Sequence, residues 1–237
     1  MRGLKFTISG QFACFKKATT FDVSTEFILT YDLMPITVLK GIIGAILGYS
    51  GLAEANRKKK QPEYMEKLLG VGIGIEPNKL GRKFTQQITN TTGFANKGMT
   101  GIIQQELLAD VSYTIYLTDE FKDFDLLYTK LLKNQTTFPI TLGRKGFNAV
   151  ISDISLFEDT IVKTYEGKMT SIYDTQFATN SMDDLFGDDE ETYHYTIQLP
   201  IGYDSLLLYN LLEVSYSDAL IDYSGEILAN KKIAILR

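Results

Sequence analysis

The chain has 237 residues, 44% of them hydrophobic and 22% charged, with one cysteine, no tryptophan, and 14 each of tyrosine and phenylalanine. This composition excludes a disordered chain, a collagen repeat and a disulfide scaffold, which need low hydrophobicity with high net charge, a glycine period and many cysteines respectively. The net charge of −5 is split unevenly: residues 169–230 hold 12 acidic side chains and no Lys or Arg, residues 231–237 hold three cations, and residues 1–168 hold 21 basic against 17 acidic.

Taken in chain order, Leu4, Phe6 and Ile8 alternate with polar residues and predict a first strand that Gly10 ends. Residues 18–31 are Thr-rich and β-branched, so an extended segment is expected. Pro35 introduces a buried helix over Ile36–Leu47, with Thr37 as its cap and Lys40 as its one charge. Gly41, Gly44, Ala45 and Gly48 pad one side of it, which predicts close packing on a sheet. A short helix follows over Glu63–Leu69, then a strand through Val71, Ile73 and Ile75. Residues 77–105 differ in kind, having no acid, four basic residues and many Thr, Asn, Gln and Gly. Alternation resumes through Val111, Tyr113, Ile115 and Leu117. Phe124, Leu127 and Leu131 mark an amphipathic helix over Phe121–Leu132, and a Gly143 turn leads into a strand over Asn148–Leu156.

Residues 1–157 therefore give the βαββαβ order of an α+β, ferredoxin-like or RRM-like domain. Residues 158–237 predict a small, acidic, mainly-β domain, with strands near 160–168, 193–199 and 227–236, an acidic loop over 183–191 and a helix over Ser205–Leu212. Cys14 alone cannot close an internal disulfide, and Met1-Arg2-Gly3 leads into strand alternation rather than an apolar signal core, so a reducing cytoplasm is the expected location. The longest uncharged apolar run, Gly41 to Ala53, is shorter than the roughly 20 residues of a bilayer span. No membrane association is expected.

Catalytic signals are sparse. The single histidine, His194, falls in strand alternation and is expected to be structural. One His and one Cys cannot assemble a zinc site, and the crowded Asp188, Asp189, Glu190 and Glu191 are read as a solvated face, with cation binding as the other reading. Gly41, Gly44 and Gly48 lie inside a helix rather than before one and lack the Lys-Ser/Thr ending of a phosphate loop. No cofactor, metal or catalytic residue is expected.

Signals for RNA are stronger. Gly10 to Lys17 sets Phe12 and Phe15 beside Lys16 and Lys17, matching the needs of an unstacked base and a phosphate; a core aromatic pair with solvated lysine tips is the other reading. Arg57 to Lys60 form a compact positive run, which is equally a solvated helix end. The acid-free stretch carries Lys79, Arg82, Lys83, Phe84, Phe94 and Lys97. Thr141 to Phe147 offers backbone N–H groups in a Gly turn with Arg144 and Lys145, suited to cradling phosphate or simply turning the chain.

Gly10 to Lys16, the glycine-rich helix Leu39 to Gly48 and Leu142 to Ala149, in that order and spacing, resemble the CRISPR-associated Cas-five family of the repeat-associated mysterious protein superfamily, most nearly its type I-B branch. The resemblance implies a non-catalytic subunit of a type I Cascade surveillance complex that caps the 5′ handle of CRISPR RNA. It implies partners in the backbone subunit and the large subunit, and target DNA engaged indirectly through the complex. It also implies a β-hairpin thumb at about residues 77–105 carrying Lys79, Arg82, Lys83, Phe84, Phe94 and Lys97, with Arg144 and Lys145 on a Gly loop facing the handle. One branch of the family is itself an endonuclease using Tyr, Lys and His near the thumb base. Residues 77–145 contain no His, a departure from that pattern; the rival expectation is a metal-independent endoribonuclease that processes precursor RNA with Tyr or Lys in place of histidine.

Overall fold

A computed structural model describes residues 1–17, 27–90, 101–180 and 193–237. The acidic loop 183–191 and most of the expected extended segment 18–31 lie outside the described residues. Strand β1 (Arg2–Ala13) buries Leu4, Phe6 and Ile8 on one face, as its alternation requires. It does not stop at Gly10. The ladder with β5 (Gly101–Thr118) continues from Gly10 opposite Val111 to Ala13 opposite Leu108, and the missing Cβ at Gly10 leaves room for Leu142, whose Cδ1 lies 2.3 Å from where that Cβ would be.

Four strands lie in the order β6–β1–β5–β3, every neighbour antiparallel, with β3 spanning Ile73–Lys79 and β6 Val150–Glu158. Strand β5 is long enough to serve two partners. Its second half pairs with β3, and its first half pairs with β4 (Arg82–Asn90), from Arg82 opposite Ala109 to Asn90 opposite Gly101. A two-stranded ribbon thus runs on past the sheet, and the short β2 (Phe27–Ile28) lies parallel to β5 on its other side. Of the acid-free stretch, residues 82–90 and 101–105 lie in this ribbon, 77–79 end β3, and 91–100 lie outside the described residues.

Helix α1 (Ile36–Leu47) has the predicted bounds. Thr37 is not its cap, however. Pro35 holds that position without a side-chain bond, its carbonyl accepting from the N–H groups of Val38 and Leu39 at 3.0 and 3.1 Å, and Thr37 is buried. Leu39, Ile42, Ile43 and Ile46 join Leu4, Phe6 and Ile8 in one core with Phe124, Leu127 and Leu131 of the helix after β5, at roughly 1.5–3 kcal/mol for each fully buried large aliphatic side chain. The small-residue stripe takes a helix rather than the sheet: a Cβ on Gly44 would stand 2.7 Å from Tyr64 of α3 (Glu63–Lys67). Between them runs α2 (Leu52–Lys58), which strand and helix periodicity did not mark; it includes Arg57. The helix after β5 is α4 (Phe124–Leu132).

Residues 158–237 form short strands: β7 (Ile161–Val162), β8 (Tyr165–Gly167), β9 (Tyr173–Asp174), β10 (Ala178–Asn180), β11 (His194–Tyr203), β12 (Tyr209–Ser217), β13 (Ile221–Tyr223), β14 (Ile227–Leu228) and β15 (Ile233–Ala234). The helix expected over Ser205–Leu212 is instead the turn of the β11–β12 hairpin and the start of β12. The Asp204 carboxylate accepts from the N–H groups of Leu206 and Leu208, both at 2.8 Å, so a side-chain-capped turn outcompetes the helical spacing of the leucines. This segment is tied to the main sheet. Ile73 and Leu236 exchange backbone bonds at 2.9 and 2.8 Å, Ile172 N–H donates to the Ile75 carbonyl at 2.9 Å, and Ile172, Leu199, Val214 and Leu236 belong to the main core. Among the described residues no single helix is long and apolar enough to cross a membrane.

Candidate nucleic-acid interface

The base of the ribbon, the end of β1 and the Gly turn meet around three half-buried phenylalanines. Phe84 enters from β4, one position beyond the Lys83–Leu108 pair, and its ring meets Phe12 edge-on with centroids 5.9 Å apart. Phe12 lies 5.9 Å from Phe147, and the Arg144 guanidinium sits 5.7 Å above the Phe147 ring. Each aromatic pair contributes about 0.5–1.5 kcal/mol beyond its buried area. The cluster therefore fixes the ribbon base against the Gly turn. Phe12 and Phe147 were visible at the ends of the two motifs, but nothing in their spacing showed that they would touch.

The turn itself is locked to the chain leaving β1. Cys14 N–H donates to the Leu142 carbonyl at 3.0 Å, Leu142 N–H to the Phe147 carbonyl at 2.8 Å, and Phe147 N–H to the Arg144 carbonyl at 3.0 Å. Gly143 has φ +81° and passes so near β1 that a Cβ would stand 2.0 Å from the Cys14 carbonyl oxygen. Only glycine fits there. Arg144 donates to the Gln105 side-chain carbonyl, and the Gln105 amide donates to the Cys14 sulfur at 3.0 Å. Burial pushes the Cys14 thiol pKa up, opposed by that amide bond. Arg144 and Lys145 are exposed at the tip of the turn.

The profile of the family described as CRISPR-associated protein (Cas_Cas5) matches residues 3–195, taking in β1, the helices, the ribbon and the Gly turn. The chain belongs to the CRISPR-associated Cas5 family. Among solved structures, one titled "CRISPR RNA-guided surveillance complex" is 14% identical over 94% of this chain and 91% of its own, with a TM-score of 0.51. A CRISPR protein from Archaeoglobus fulgidus is 10% identical over the full length of both chains, with a TM-score of 0.53. Both share the fold of this Cas5-family chain. Among curated proteins no sequence matches significantly.

The predicted cations of this family member divide into two groups. Lys16 is exposed beside the turn, and Lys17 lies 5.4 Å over the Tyr31 ring. Arg82 is exposed on β4. Lys83, by contrast, pairs with the Asp32 carboxylate and lies 3.9 Å from Glu106, and Lys79 lies 3.9 Å from Asp110. Asp32 also accepts from the Tyr195 hydroxyl, whose pKa is raised by burial and by that bond. Arg57 is exposed in the last turn of α2, a helix that contributes nothing to the aromatic cluster. Phe94 and Lys97 lie outside the described residues.

Phe15 requires a correction. It is 1% exposed, its ring lies 6.4 Å from that of Tyr113, and its N–H donates to the Thr30 hydroxyl at 2.8 Å. A ring enclosed in the core offers no face to a base. Phe12, three residues earlier, takes the outward place expected of Phe15. His194 begins β11, exposed, with Nε2 3.1 Å from the Thr196 hydroxyl.

Proposed function

We propose that this Cas5-family chain is a non-catalytic RNA-binding subunit of a type I Cascade-like surveillance complex, nearest the type I-B branch. It caps the 5′ handle of CRISPR RNA, seats the backbone subunit through the β4–β5 ribbon, docks the large subunit and meets target DNA only through the assembly. In this reading the main sheet is ferredoxin-like and the ribbon is the thumb. The observation that carries it is the meeting of two exposed turn cations, the lysines after β1 and the ribbon base around Phe12, Phe84 and Phe147. Such a surface pairs phosphate-binding charge with aromatic edges, the combination that single-stranded RNA requires. The relative titled as an RNA-guided surveillance complex supports the same reading.

The absence of an enzymatic role is inferred from chemistry. In-line attack by a 2′-hydroxyl needs a base and an acid with pKa values near the working pH. The rival reading, a metal-independent endoribonuclease that processes precursor CRISPR RNA, draws support from Tyr195, Lys83 and Asp32 standing together. Those groups satisfy one another, and the raised Tyr195 pKa makes its phenolate scarce at neutral pH.

Fluorescence anisotropy with handle RNA over a salt series, and incubation of precursor transcript with the full chain in EDTA, test both parts. Salt-dependent binding without cleavage is expected. Specific single-turnover cleavage at the repeat overturns the non-catalytic assignment, and handle affinity equal to that for unrelated RNA overturns the capping role.

A further inference from the structure

We infer that a groove behind the Gly turn receives one nucleobase of the bound RNA strand, an inference that rests on the RNA-binding reading above. The groove lies between α1 and the tip of the β11–β12 hairpin, with a volume of about 230 Å³. It is lined by Gly41 of α1, Tyr64 of α3, and Tyr203 and Tyr209 of the hairpin, with Thr141 and Gly143 of the turn. The volume falls below the roughly 300–1,000 Å³ of sites for drug-sized ligands, which suits a single planar ring system.

The walls are made for such a ring. Tyr203 and Tyr209 stack with centroids 5.2 Å apart and planes 30° apart, and the Tyr203 hydroxyl stands 3.5 Å from that of Tyr64. The hairpin tip that carries them is pinned: the Gln61 amide donates to the carbonyls of Tyr203 at 2.9 Å and Asp204 at 2.8 Å. Arg144 and Lys145 follow Gly143 by one and two residues, at the end of the groove that the turn lines. A phosphate held on the turn thereby brings its own or the adjoining base to that end of the groove. Neutral aromatic walls next to two cations favour a nucleotide of the strand over an apolar peptide.

The test uses the full chain and fluorescently labelled handle RNA. Tyr209→Leu removes the ring and is expected to weaken binding about tenfold, the lower-middle range for one stacked base, while Tyr209→Phe stays within twofold. Gly41→Leu fills the groove from the helix side. A Cβ there meets only Tyr64, at 3.9 Å, and leucine favours a helix over glycine, so this variant keeps the fold even if Tyr209→Leu loses it. It is expected to lose affinity comparably.

RNAs abasic at single positions identify the base: at one position the parent should lose affinity and Tyr209→Leu should lose nothing more. Unchanged affinity in Gly41→Leu, or no abasic position that couples to Tyr209, overturns the groove while leaving the RNA-binding reading intact. A parent that binds no handle RNA overturns both. Displacement of the Tyr209-coupled contribution by free nucleoside monophosphate at micromolar levels assigns the groove to a free nucleotide and also overturns the inference.

Discussion

Replacing Gly143 by alanine should disrupt the candidate interface more than any other single methyl group added to the Gly turn. Two effects add. An L-residue at φ +81° costs about 1–2 kcal/mol in backbone conformation. The new Cβ cannot remain 2.0 Å from the Cys14 carbonyl oxygen, so the turn must lift off β1 and lengthen or lose the bond from Cys14 N–H to Leu142, a further ~0.5–1.5 kcal/mol or more. A total of about 1.5–3.5 kcal/mol converts to a fall in Tm of about 3–14 °C for a chain of this size. Gly146 supplies the control within the same turn. Its φ is +95° but nothing lies within 4 Å of an added Cβ, so Gly146→Ala carries only the backbone part, about 1–2 kcal/mol. Thermal melts of both variants beside the parent, with handle binding measured at the same temperature, separate the two effects. Equal Tm values for Gly143→Ala and Gly146→Ala would refute the claim that the turn is clamped against β1.

Arg144→Ala combined with Lys145→Ala should weaken handle binding and flatten the slope of log K against log salt by about one to two, with a modest fall in Tm from the lost Arg144 bond to buried Gln105; parental affinity across a salt series returns the turn to an ordinary connection. Lys40 is 4% exposed and burial lowers its pKa, so its charge opposes folding, most strongly as pH falls. Lys40→Met should therefore raise Tm, measured by calorimetry, and a lower Tm would show that the ammonium has a partner that matters. Burial raises Tyr209 from about 10 in the unfolded chain to about 12. A raised acid contributes stability that is complete below pH 10 and lost as pH climbs towards 12, so urea midpoints should fall over that interval and fall less in Tyr209→Phe; equal slopes would remove Tyr209 from the cause.

Local pattern carried much of the architecture. Pro35 before the helix and Gly48 after it, in the left-handed conformation with its N–H returned to Gly44, bound α1 by stereochemistry alone. Alternation placed Leu4, Phe6 and Ile8 inside because a strand has no other way to sort its faces. Failures occurred where distant contacts decide. Gly10 is a breaker in isolation, yet its pairing with β5 and the close approach of Leu142 keep it extended. Leucines at 206, 208, 211 and 212 fit a helix until the Asp204 carboxylate fixes a turn ahead of them. Phe12 and Phe15 are equivalent on paper. Only the packing of Tyr113 under β5's ladder makes one a core residue and leaves the other at the interface.

The same distinction changes where positive charge is available for RNA. Counted along the sequence, Lys79, Arg82 and Lys83 make the ribbon base strongly basic. In the fold Asp32 and Glu106 stand against Lys83 and Asp110 stands near Lys79, so three carboxylates offset much of that charge. Lys83, paired with an Asp32 that also takes the Tyr195 hydroxyl, joins β4 to the segment before α1 and to β11. Its work is to hold the ribbon base in position. Among the described residues around the ribbon base, the cations left to attract phosphate are Arg82, Lys16, Lys17 and the exposed pair at the tip of the Gly turn, and Arg144 is steered by Gln105 and Phe147 towards the aromatic cluster. Electrostatic attraction is thereby concentrated where aromatic edges and the tyrosine groove adjoin it, and the acidic 169–230 stretch contributes no cation to compete for the strand. A chain with a net charge of −5 can in this way present a local surface suited to RNA, because the potential near a phosphate is set by charges within about a Debye length, roughly 8–10 Å, rather than by the sum over the molecule.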